Sequence, residues 1–147
     1  MDWPLVYGKD ARIYLTGYTM KTQDTFKFAE THEWASIEDD GLVWVGISNH
    51  AQEALGDVMF FQAPKIGQEV KQGDAIAVIE SVKAASDIHA PVSGEIVALN
   101  ESMDATPEMV NEKPYAVWLF KIKPSATLNA ELDALISLEK YSSSAGA

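Results

Sequence analysis

Between residues 57 and 99, short apolar runs alternate with turn-forming residues. The runs include Val58–Phe61, Ala75–Ile79 and Ile96–Leu99, and glycine, proline or aspartate residues lie between them. Several short strands with regularly spaced turns are typical of a small all-β sandwich or barrel. This region therefore favours a mainly β fold.

Two parts of that region resemble each other weakly. Gln72–Asp74 leads into the apolar run Ala75–Val78, and Val92–Glu95 leads into Ile96–Leu99 in the same way. Lys83 lies between the two parts, with strand-forming residues on both sides. We therefore expect Lys83 to lie at the exposed turn of the hairpin that joins two similar halves.

The residues before this region predict a hairpin and a short helix. Phe26–Ile47 has a strand–turn–strand pattern, with its turn at Asp39–Gly41. Ser48 and Asn49 then offer an N-cap, and Gly56 offers a stop. We expect a helix of about two turns between them.

The C-terminal part predicts one strand and one helix. The strand is expected at Val117–Ile122 and the helix at Leu128–Lys140. Four apolar residues share one face of this helix at helical spacing: Leu128, Leu132, Leu135 and Ile136. The tail Ser142–Ala147 is expected to be frayed.

The first 19 residues differ from the rest of the chain. They contain three of the five tyrosines and the only arginine, Arg12, and they show no strand or helix period. We interpret residues 1–19 as a vector-derived or otherwise non-native extension, with Met20 as a natural start; an additional native hairpin is the alternative. Residues 20–147 have the size of one domain.

Composition excludes several classes of function. The chain has no cysteine, so disulfide scaffolds, cysteine-ligated metal centres and a cysteine nucleophile are excluded. Its net charge of −11 disfavours binding to nucleic acid or to anionic membranes. No apolar run is long enough to span a membrane, and no signal peptide is recognised at the N-terminus.

Lys83 is the residue with the clearest chemical interest. At an exposed turn, nothing would desolvate its ammonium group, so it would be a poor Schiff-base nucleophile. It would, however, be well placed for modification by another enzyme. Spacing alone also fits an ordinary surface lysine.

The residues around Lys83 resemble a known segment. Glu80–Asp87 (ESVKAASD) followed by Ala90–Glu95 (APVSGE) closely resembles the lipoyl-lysine segment of the glycine cleavage system H-protein family. Thr31–Trp34 (THEW) resembles a second signature of that family. Further colinear matches extend the resemblance over residues 26–141: Gly46–Ser48, Ala51-Gln52, Leu55–Asp57, Asn100, Pro107, Asn111, Pro114-Tyr115, Trp118 and the Leu132–Tyr141 helix.

The resemblance implies a fold and a set of site residues. The fold is the barrel-sandwich hybrid of biotinyl and lipoyl carriers, here with an N-terminal hairpin, a short helix and a C-terminal helix. It also implies lipoic acid in amide linkage on Lys83. Glu80 and Gly67 match positions read by lipoylating enzymes, although alone they would be a solvated turn carboxylate and a turn glycine.

Three further residues match positions near the docked lipoyl arm: Glu33, Asp87 and Thr31. The two carboxylates could hold the ammonium group of a methylamine carried on the lipoyl sulfur. Thr31 occupies a position where serine is common and could donate or accept a hydrogen bond.

The resemblance also implies a non-catalytic role as a carrier. The lipoyl arm would take the methylamine group of glycine from the P-protein to the T-protein and then be reoxidised by the L-protein. The implied partners are these three proteins and the lipoylating enzymes. We expect a monomer. The lack of a recognised arginine-rich presequence favours a bacterial cytoplasm over a mitochondrial precursor.

Four alternatives remain open. An H-like protein could relay lipoyl groups to other enzymes with the same lysine and fold. A 2-oxoacid dehydrogenase lipoyl domain would favour Asp-Lys-Ala and an Ala/Pro-rich linker, whereas Val82 precedes Lys83 here. A biotin carrier would have methionine on both sides of the lysine, and a Schiff-base enzyme would need a buried lysine.

Two departures from the family pattern concern partner binding. Only Ala116 and Val117 separate Tyr115 from Trp118, where the family usually has three residues. Gln62-Ala63 stands where the family often has an acidic residue and a leucine. Neither departure involves Lys83.

The histidines and aromatic residues receive structural interpretations. His32, His50 and His89 lie in different blocks without helical metal-ligand spacing, so no metal site is expected. Six aromatic residues on predicted strands are expected in the core: Trp34, Trp44, Phe60, Phe61, Trp118 and Phe120.

Deletion of residues 1–19 is expected to leave the melting temperature and lipoylation unchanged, because we assign this segment no part in the domain. Thermal unfolding and intact mass of the two chain lengths check this. A clear loss of stability in the shorter chain would show that the segment belongs to the native fold.

Overall fold

The computed structural model describes residues 20–145, so the interpretation of residues 1–19 lies outside the described part of the chain. Within that part, the strands are β1 (Lys27–Phe28), β2 (Glu33–Ile37), β3 (Val43–Ile47), β4 (Val58–Gln62), β5 (Glu69–Val70), β6 (Ala75–Ser81), β7 (Ala85–His89), β8 (Gly94–Leu99), β9 (Phe120–Pro124) and β10 (Ile136–Ser137). The α-helices are α1 (Asn49–Leu55), α2 (Ser102–Ala105), α3 (Met109–Glu112), α4 (Leu128–Asp133) and α5 (Leu138–Ala145), and a 3-10 turn covers Gln23–Thr25.

The strands form two antiparallel sheets. Seven strands follow the order β10-β1-β2-β3-β9-β8-β5, and three follow the order β4-β6-β7. Apolar side chains of both sheets form one core cluster, which includes Val45, Ile79, Ile88, Ile96 and Ile122. The predicted mainly β, lipoyl-carrier-like fold is confirmed.

The N-terminal hairpin forms as predicted. β2 and β3 pair from Glu33↔Ile47 to Ile37↔Val43, and Gly41 has a φ of 83° in the turn between them. Gly46 on β3 leaves room for the indole of Trp34, since a Cβ atom on Gly46 would lie 2.4 Å from Trp34 Cζ2. The hairpin therefore packs one of the largest buried side chains against bare backbone.

Helix α1 begins and ends at the predicted residues. Ser48 is its N-cap, and its side chain accepts a hydrogen bond from Ala51 N at 3.1 Å. Gly56 ends the helix with a φ of 75° and a ψ of −158°, a region that is accessible almost only to glycine.

The single C-terminal helix predicted over Leu128–Lys140 is wrong. The segment forms α4, then the short strand β10, then α5. Ile136 is not helical because it pairs with Phe28 on β1, so that β10 becomes the edge strand of the larger sheet. This tertiary pairing outweighs the helical spacing of the leucines.

Three smaller expectations are also corrected. β9 covers Phe120–Pro124, not Val117–Ile122, because its ladder with β8 runs from Phe120 to Pro124. Helix α5 continues through Ser142–Ser144, which were expected to be frayed. Phe60 is 51% exposed and is not a core residue, since it lies on the outer face of β4.

None of the helices formed by residues 20–145 is long and apolar enough to cross a membrane.

Candidate functional site

Lys83 lies at the tip of the hairpin formed by β6 and β7, as the sequence predicts. Glu80 pairs with Ala85, and Ser81 N donates to Ala84 O at 2.8 Å, so Val82 and Lys83 form the loop. The Lys83 side chain is exposed. Among the described residues, none accepts a hydrogen bond from Lys83 Nζ or pairs with it.

The turn is supported by the side chain of Ser81. Two-residue hairpin loops favour turns with positive φ angles, and neither Val82 nor Lys83 has one. Ser81 Oγ accepts hydrogen bonds from Lys83 N and Ala84 N, both at 3.1 Å. These bonds stabilise a turn that the backbone alone would not favour.

The hairpin tip is fixed to the connection between α1 and β4. Val82 N donates to Asp57 O at 3.1 Å. Asn111 holds the residues on both sides of Asp57: its Nδ2 donates to Gly56 O at 2.8 Å, and its Oδ1 accepts from Val58 N at 2.9 Å. The backbone around Lys83 is therefore anchored, although its side chain is exposed.

The aliphatic stem of Lys83 lies across Gly56. A Cβ atom built on Gly56 would lie 3.3 Å from Lys83 Cε, 3.6 Å from Cδ and 3.7 Å from Cγ. Three successive methylene groups of Lys83 thus lie at about van der Waals distance from the position that a side chain on Gly56 would take.

The two residues expected to mark the site for lipoylating enzymes lie in different places. Glu80 is exposed on β6, three residues before Lys83 and in the same hairpin. Gly67 has a φ of 89° in the turn before β5, and its N donates to Ile96 O of β8 at 2.7 Å. Gly67 therefore lies in a turn joined to the larger sheet, whereas the Lys83 hairpin belongs to the smaller one.

Glu33 on β2 carries a buried carboxylate, next to the end of β7 that is remote from Lys83. The residue is 1% exposed. Glu33 Oε2 accepts hydrogen bonds from His89 N at 2.7 Å and from His89 Nδ1 at 3.0 Å, and Oε1 accepts one from the Thr31 hydroxyl. The structure thus brings Thr31 and Glu33 together, and His89 occupies the other carboxylate oxygen of Glu33.

Asp87 lies between Lys83 and Glu33. It is exposed on β7, and its alternation with Ala85 and His89 places these three residues on one face of the strand. At about 3.3 Å per residue, this face extends for roughly 13 Å from Ala85 to His89.

Helix α1 spans the same interval on another side. Its C-cap residue Gly56 lies beside the Lys83 stem. At its N-terminal end, the ring of His50 lies 4.6 Å from that of His32, the neighbour of Glu33. Strand β7 and helix α1 both therefore extend from the Lys83 turn toward Glu33.

His32 joins this end of the site to the last helix. It has a φ of 81°, unusual for a residue other than glycine. His32 Nδ1 lies 2.5 Å from the Tyr141 hydroxyl, which is also 2.7 Å from Ser48 Oγ. Burial raises the pKa of Tyr141, although the Ser48 hydrogen bond opposes this shift. The hydroxyl therefore remains a neutral hydrogen-bonding group.

The pKa of His32 is lowered, which makes stability depend on pH. Burial lowers this pKa below 6.5, the neighbouring His50 lowers it further, and Glu33 raises it in part. A lowered pKa in the folded state means that the unfolded chain binds a proton more readily. The contribution of His32 to the free energy of unfolding is then fully present above pH 6.5, and it is lost as the pH falls from 6.5 toward the folded-state pKa.

We expect His32→Asn to weaken this pH dependence, because asparagine tolerates a positive φ and does not titrate. Urea unfolding of both proteins at several pH values from about 7 to about 5 measures the effect. Equal slopes for the two proteins would contradict the assignment to His32.

The sequence offered a signal for one residue whose role it did not assign. Ser81 stands two residues before Lys83, the spacing of a side-chain-supported turn. The contacts of Gly56 with Lys83, of Asn111 with Gly56 and of His89 with Glu33 join residues far apart in the chain, and no local pattern predicts them. Within the described residues, no three His, Asp or Glu side chains form a group that could hold a metal ion.

A two-sheet β domain that presents one lysine at the tip of an anchored hairpin defines a carrier domain of the biotinyl and lipoyl type. Comparison with known proteins gives the family. The profile described as "Glycine cleavage H-protein" matches residues 26–146. The chain therefore belongs to the glycine cleavage H-protein family, the lipoyl carriers of the glycine cleavage system.

Individual relatives agree with this assignment. The chain is 84% identical over 103 residues to a glycine cleavage system H protein of Polynucleobacter necessarius, covering 70% of this chain and 69% of that protein. It is 57% identical over 121 residues to one from Paraburkholderia xenovorans, covering 82% and 94%. A crystal structure of an H protein from Mycobacterium marinum aligns with a TM-score of 0.75 and 35% identity, covering 84% of this chain and 98% of that one.

Proposed function

We propose that Lys83 carries lipoic acid in amide linkage on Nζ and that the protein shuttles the methylamine group of glycine from the P-protein to the T-protein, and electrons to the L-protein. The exposed Lys83 side chain on an anchored hairpin tip is the observation that carries this proposal. When bound, the lipoyl group supplies a disulfide that accepts the methylamine and two electrons.

The fit of Lys83 to this group follows from access and anchoring. Its Nζ has to enter the active site of a lipoylating enzyme, and its exposed position allows this. Ser81 and Asp57 hold the backbone on both sides of the loop, so the tip keeps one shape for recognition. The position of Glu80 in the same hairpin supports its proposed role in recognition by the lipoylating enzyme. Gly67 would be recognised from a separate turn.

The proposed resting place of the arm is the surface between β7 and α1. Asp87 faces the solvent along this path, and Glu33 lies at its end. A carboxylate there can hold the ammonium group of the cargo, and contact with the protein surface would exclude water from it. The His89 side chain, 28% exposed, has to turn aside before a cation reaches Glu33 Oε2.

The protein would act without a catalytic group of its own, together with the P-, T- and L-proteins and the lipoylating enzymes. We infer a bacterial protein, which is supported by the bacterial sources of the relatives. We propose that it acts as a monomer in the cytoplasm. Family membership favours glycine cleavage over a 2-oxoacid dehydrogenase lipoyl domain.

Incubation with lipoate, ATP and a lipoate ligase, followed by intact-mass measurement and peptide mapping, tests the attachment. One lipoyl increment on Lys83 is expected. An unmodified Lys83 beside an active ligase would overturn the proposal.

Reconstitution tests the shuttle itself. The lipoylated protein is expected to accept methylamine when it is mixed with P-protein, pyridoxal phosphate and glycine. Lipoylation without methylamine transfer would favour a lipoyl relay protein instead.

A further inference from the structure

We propose that three exposed apolar side chains beside the Lys83 hairpin form a docking surface for the lipoylating enzyme. We call this surface the tip patch, and it consists of Met59, Phe60 and Val82. The inference rests on the proposed lipoylation of Lys83. It adds a surface to the single positions that the resemblance to the family supplied.

The side chains of the tip patch are exposed although they are apolar. Met59 and Val82 are each 62% exposed, and Phe60 is 51% exposed. Single exposed apolar residues are common on protein surfaces, whereas contiguous groups of them mark interaction sites. The tip patch is such a group, because its members lie on β4 and on the loop that follows the neighbouring strand β6.

An irregularity in β4 exposes two of these side chains. Val58 lies opposite Ser81 and Phe60 lies opposite Glu80, so Met59 is an extra residue in the ladder between β4 and β6. Val58 is buried, whereas Met59 and Phe60 both face the solvent. The bulge therefore exposes two consecutive apolar side chains, where a regular strand would expose one.

Val82 is held beside the start of β4. Its backbone N donates to Asp57 O at 3.1 Å, and the preceding residue, Ser81, is paired with Val58. Val82 also precedes Lys83 directly in the chain. The third member of the patch is thus fixed between β4 and the lysine.

The tip patch lies within the area that an enzyme bound at Lys83 would cover. Phe60 is about 5 Å from Glu80 across the ladder, and Glu80 is at most about 10 Å from Lys83 along the chain. Each partner in a specific protein complex covers about 800 Å², which corresponds to a radius of roughly 16 Å. An interface of this size centred on Lys83 therefore reaches the whole patch.

The chemistry of the step selects the lipoylating enzyme as the occupant. The carbonyl carbon of a lipoyl adenylate has to come within about 3.5 Å of Lys83 Nζ. There the N–C bond forms, AMP leaves with the electrons of the broken C–O bond, and Nζ releases a proton. The enzyme surface around this point contacts the hairpin tip. The P-, T- and L-proteins act on sulfur atoms at the far end of the arm, so their reactions do not require contact beside the lysine.

Carboxylates at the border of the tip patch indicate the charge of the partner. Asp57 directly precedes β4 and Glu80 lies opposite Phe60, and both acidic residues are exposed. The whole chain has a net charge of −11. We therefore expect the enzyme to present an apolar surface with basic side chains at its rim, and its KM for this protein should rise with ionic strength. A KM that is independent of ionic strength would contradict this match of charge.

Steady-state lipoylation by a lipoate ligase tests the docking surface, with the unmodified full chain as the varied substrate. Phe60→Gln is expected to raise the KM about tenfold and to leave kcat unchanged, because it removes apolar contact without altering Lys83. A wild-type KM in the folded variant, or a loss confined to kcat, would overturn the docking surface.

Ile37→Gln is the matched control. Ile37 is also an exposed apolar strand residue, at 36%, but it lies on β2 in the larger sheet. This variant should keep the wild-type KM, and thermal melts of both variants establish that they are folded. An equal rise in KM for the two variants would show that the effect is not specific to the tip patch and would overturn the proposal.

Two further variants keep the proposal falsifiable if Phe60→Gln does not fold. Met59→Gln keeps an unbranched side chain, and Val82→Thr keeps a β-branched one. Each is expected to raise the KM about fourfold, the factor that corresponds to loss of one buried methylene group. A wild-type KM for both variants would contradict the proposal.

Reconstitution distinguishes this occupant from the P-protein. Fully lipoylated Phe60→Gln is expected to take up methylamine at the wild-type rate. Slower uptake together with a wild-type KM for the ligase would assign the tip patch to the P-protein and overturn the proposal. Failure of the wild type to be lipoylated would overturn the proposed function, whereas a lipoylated wild type with unaffected variants would overturn the docking surface alone.

Discussion

Lys83→Arg is expected to abolish lipoylation and all methylamine transfer while leaving the fold intact. Arginine keeps the positive charge and a long aliphatic stem, but its guanidinium group stays protonated and cannot form the amide. Lys83 is exposed, and its turn is held by backbone groups and Ser81, so the free energy of unfolding should change by less than about 0.5 kcal/mol.

Intact mass after treatment with lipoate ligase and a thermal melt measure the two parts of this prediction. Lys71→Arg is the matched control, because Lys71 is also exposed in a turn before a strand, and this variant should be lipoylated at Lys83 as usual. Methylamine uptake by Lys83→Arg in the reconstituted assay would refute the central claim about this residue.

Gly94→Ala is expected to destabilise the domain by about 3 kcal/mol or more, which lowers the melting temperature by roughly 10 °C. A Cβ atom on Gly94 would lie 2.1 Å from the backbone oxygen of Lys123 and 2.7 Å from Ile122 Cγ2. Gly94 is paired with Val70 on one side and Pro124 on the other, so β8 cannot move aside without breaking a ladder.

Gly73→Ala separates the steric effect from backbone strain. Gly73 has a φ of 93°, but nothing lies within 4 Å of a Cβ atom there. Its replacement should cost only the strain of a positive φ, about 1 kcal/mol. Thermal unfolding of both variants gives the comparison, and equal losses would show that the close approach to Lys123 relaxes at little cost.

The local parts of the fold could be predicted because their signals are local. The cap of Ser48, the stop at Gly56 and the turn at Asp39–Gly41 depend on neighbouring residues, and the structure confirms all three. The hairpin tip at Lys83 follows from the strands on both sides. The helix predicted over Leu128–Lys140 failed because Ile136 pairs with Phe28, more than 100 positions away in the chain.

The candidate site likewise has features that the sequence predicts and features that depend on distant contacts. The position of Lys83 could be predicted from the sequence, whereas its approach to Gly56 and the hydrogen bonds of Glu33 with His89 could not. These contacts join α1, β2 and β7, which meet only in the folded domain. Residue type gave no warning that Phe60 would be exposed, because a strand pattern does not tell which face of β4 meets the core.

The distant pairing of β10 with β1 also sets the order in which the domain can be completed. A nascent chain emerges from its N-terminus, so β1 has to wait for residues 136–137 before its outer edge is paired. The side chain of His32 likewise reaches its hydrogen-bond partner, the Tyr141 hydroxyl, only when residue 141 has been synthesised. The last tenth of the chain therefore closes the part of the domain that was made first, and ribosome-bound fragments that end before Tyr141 should remain sensitive to proteases near His32.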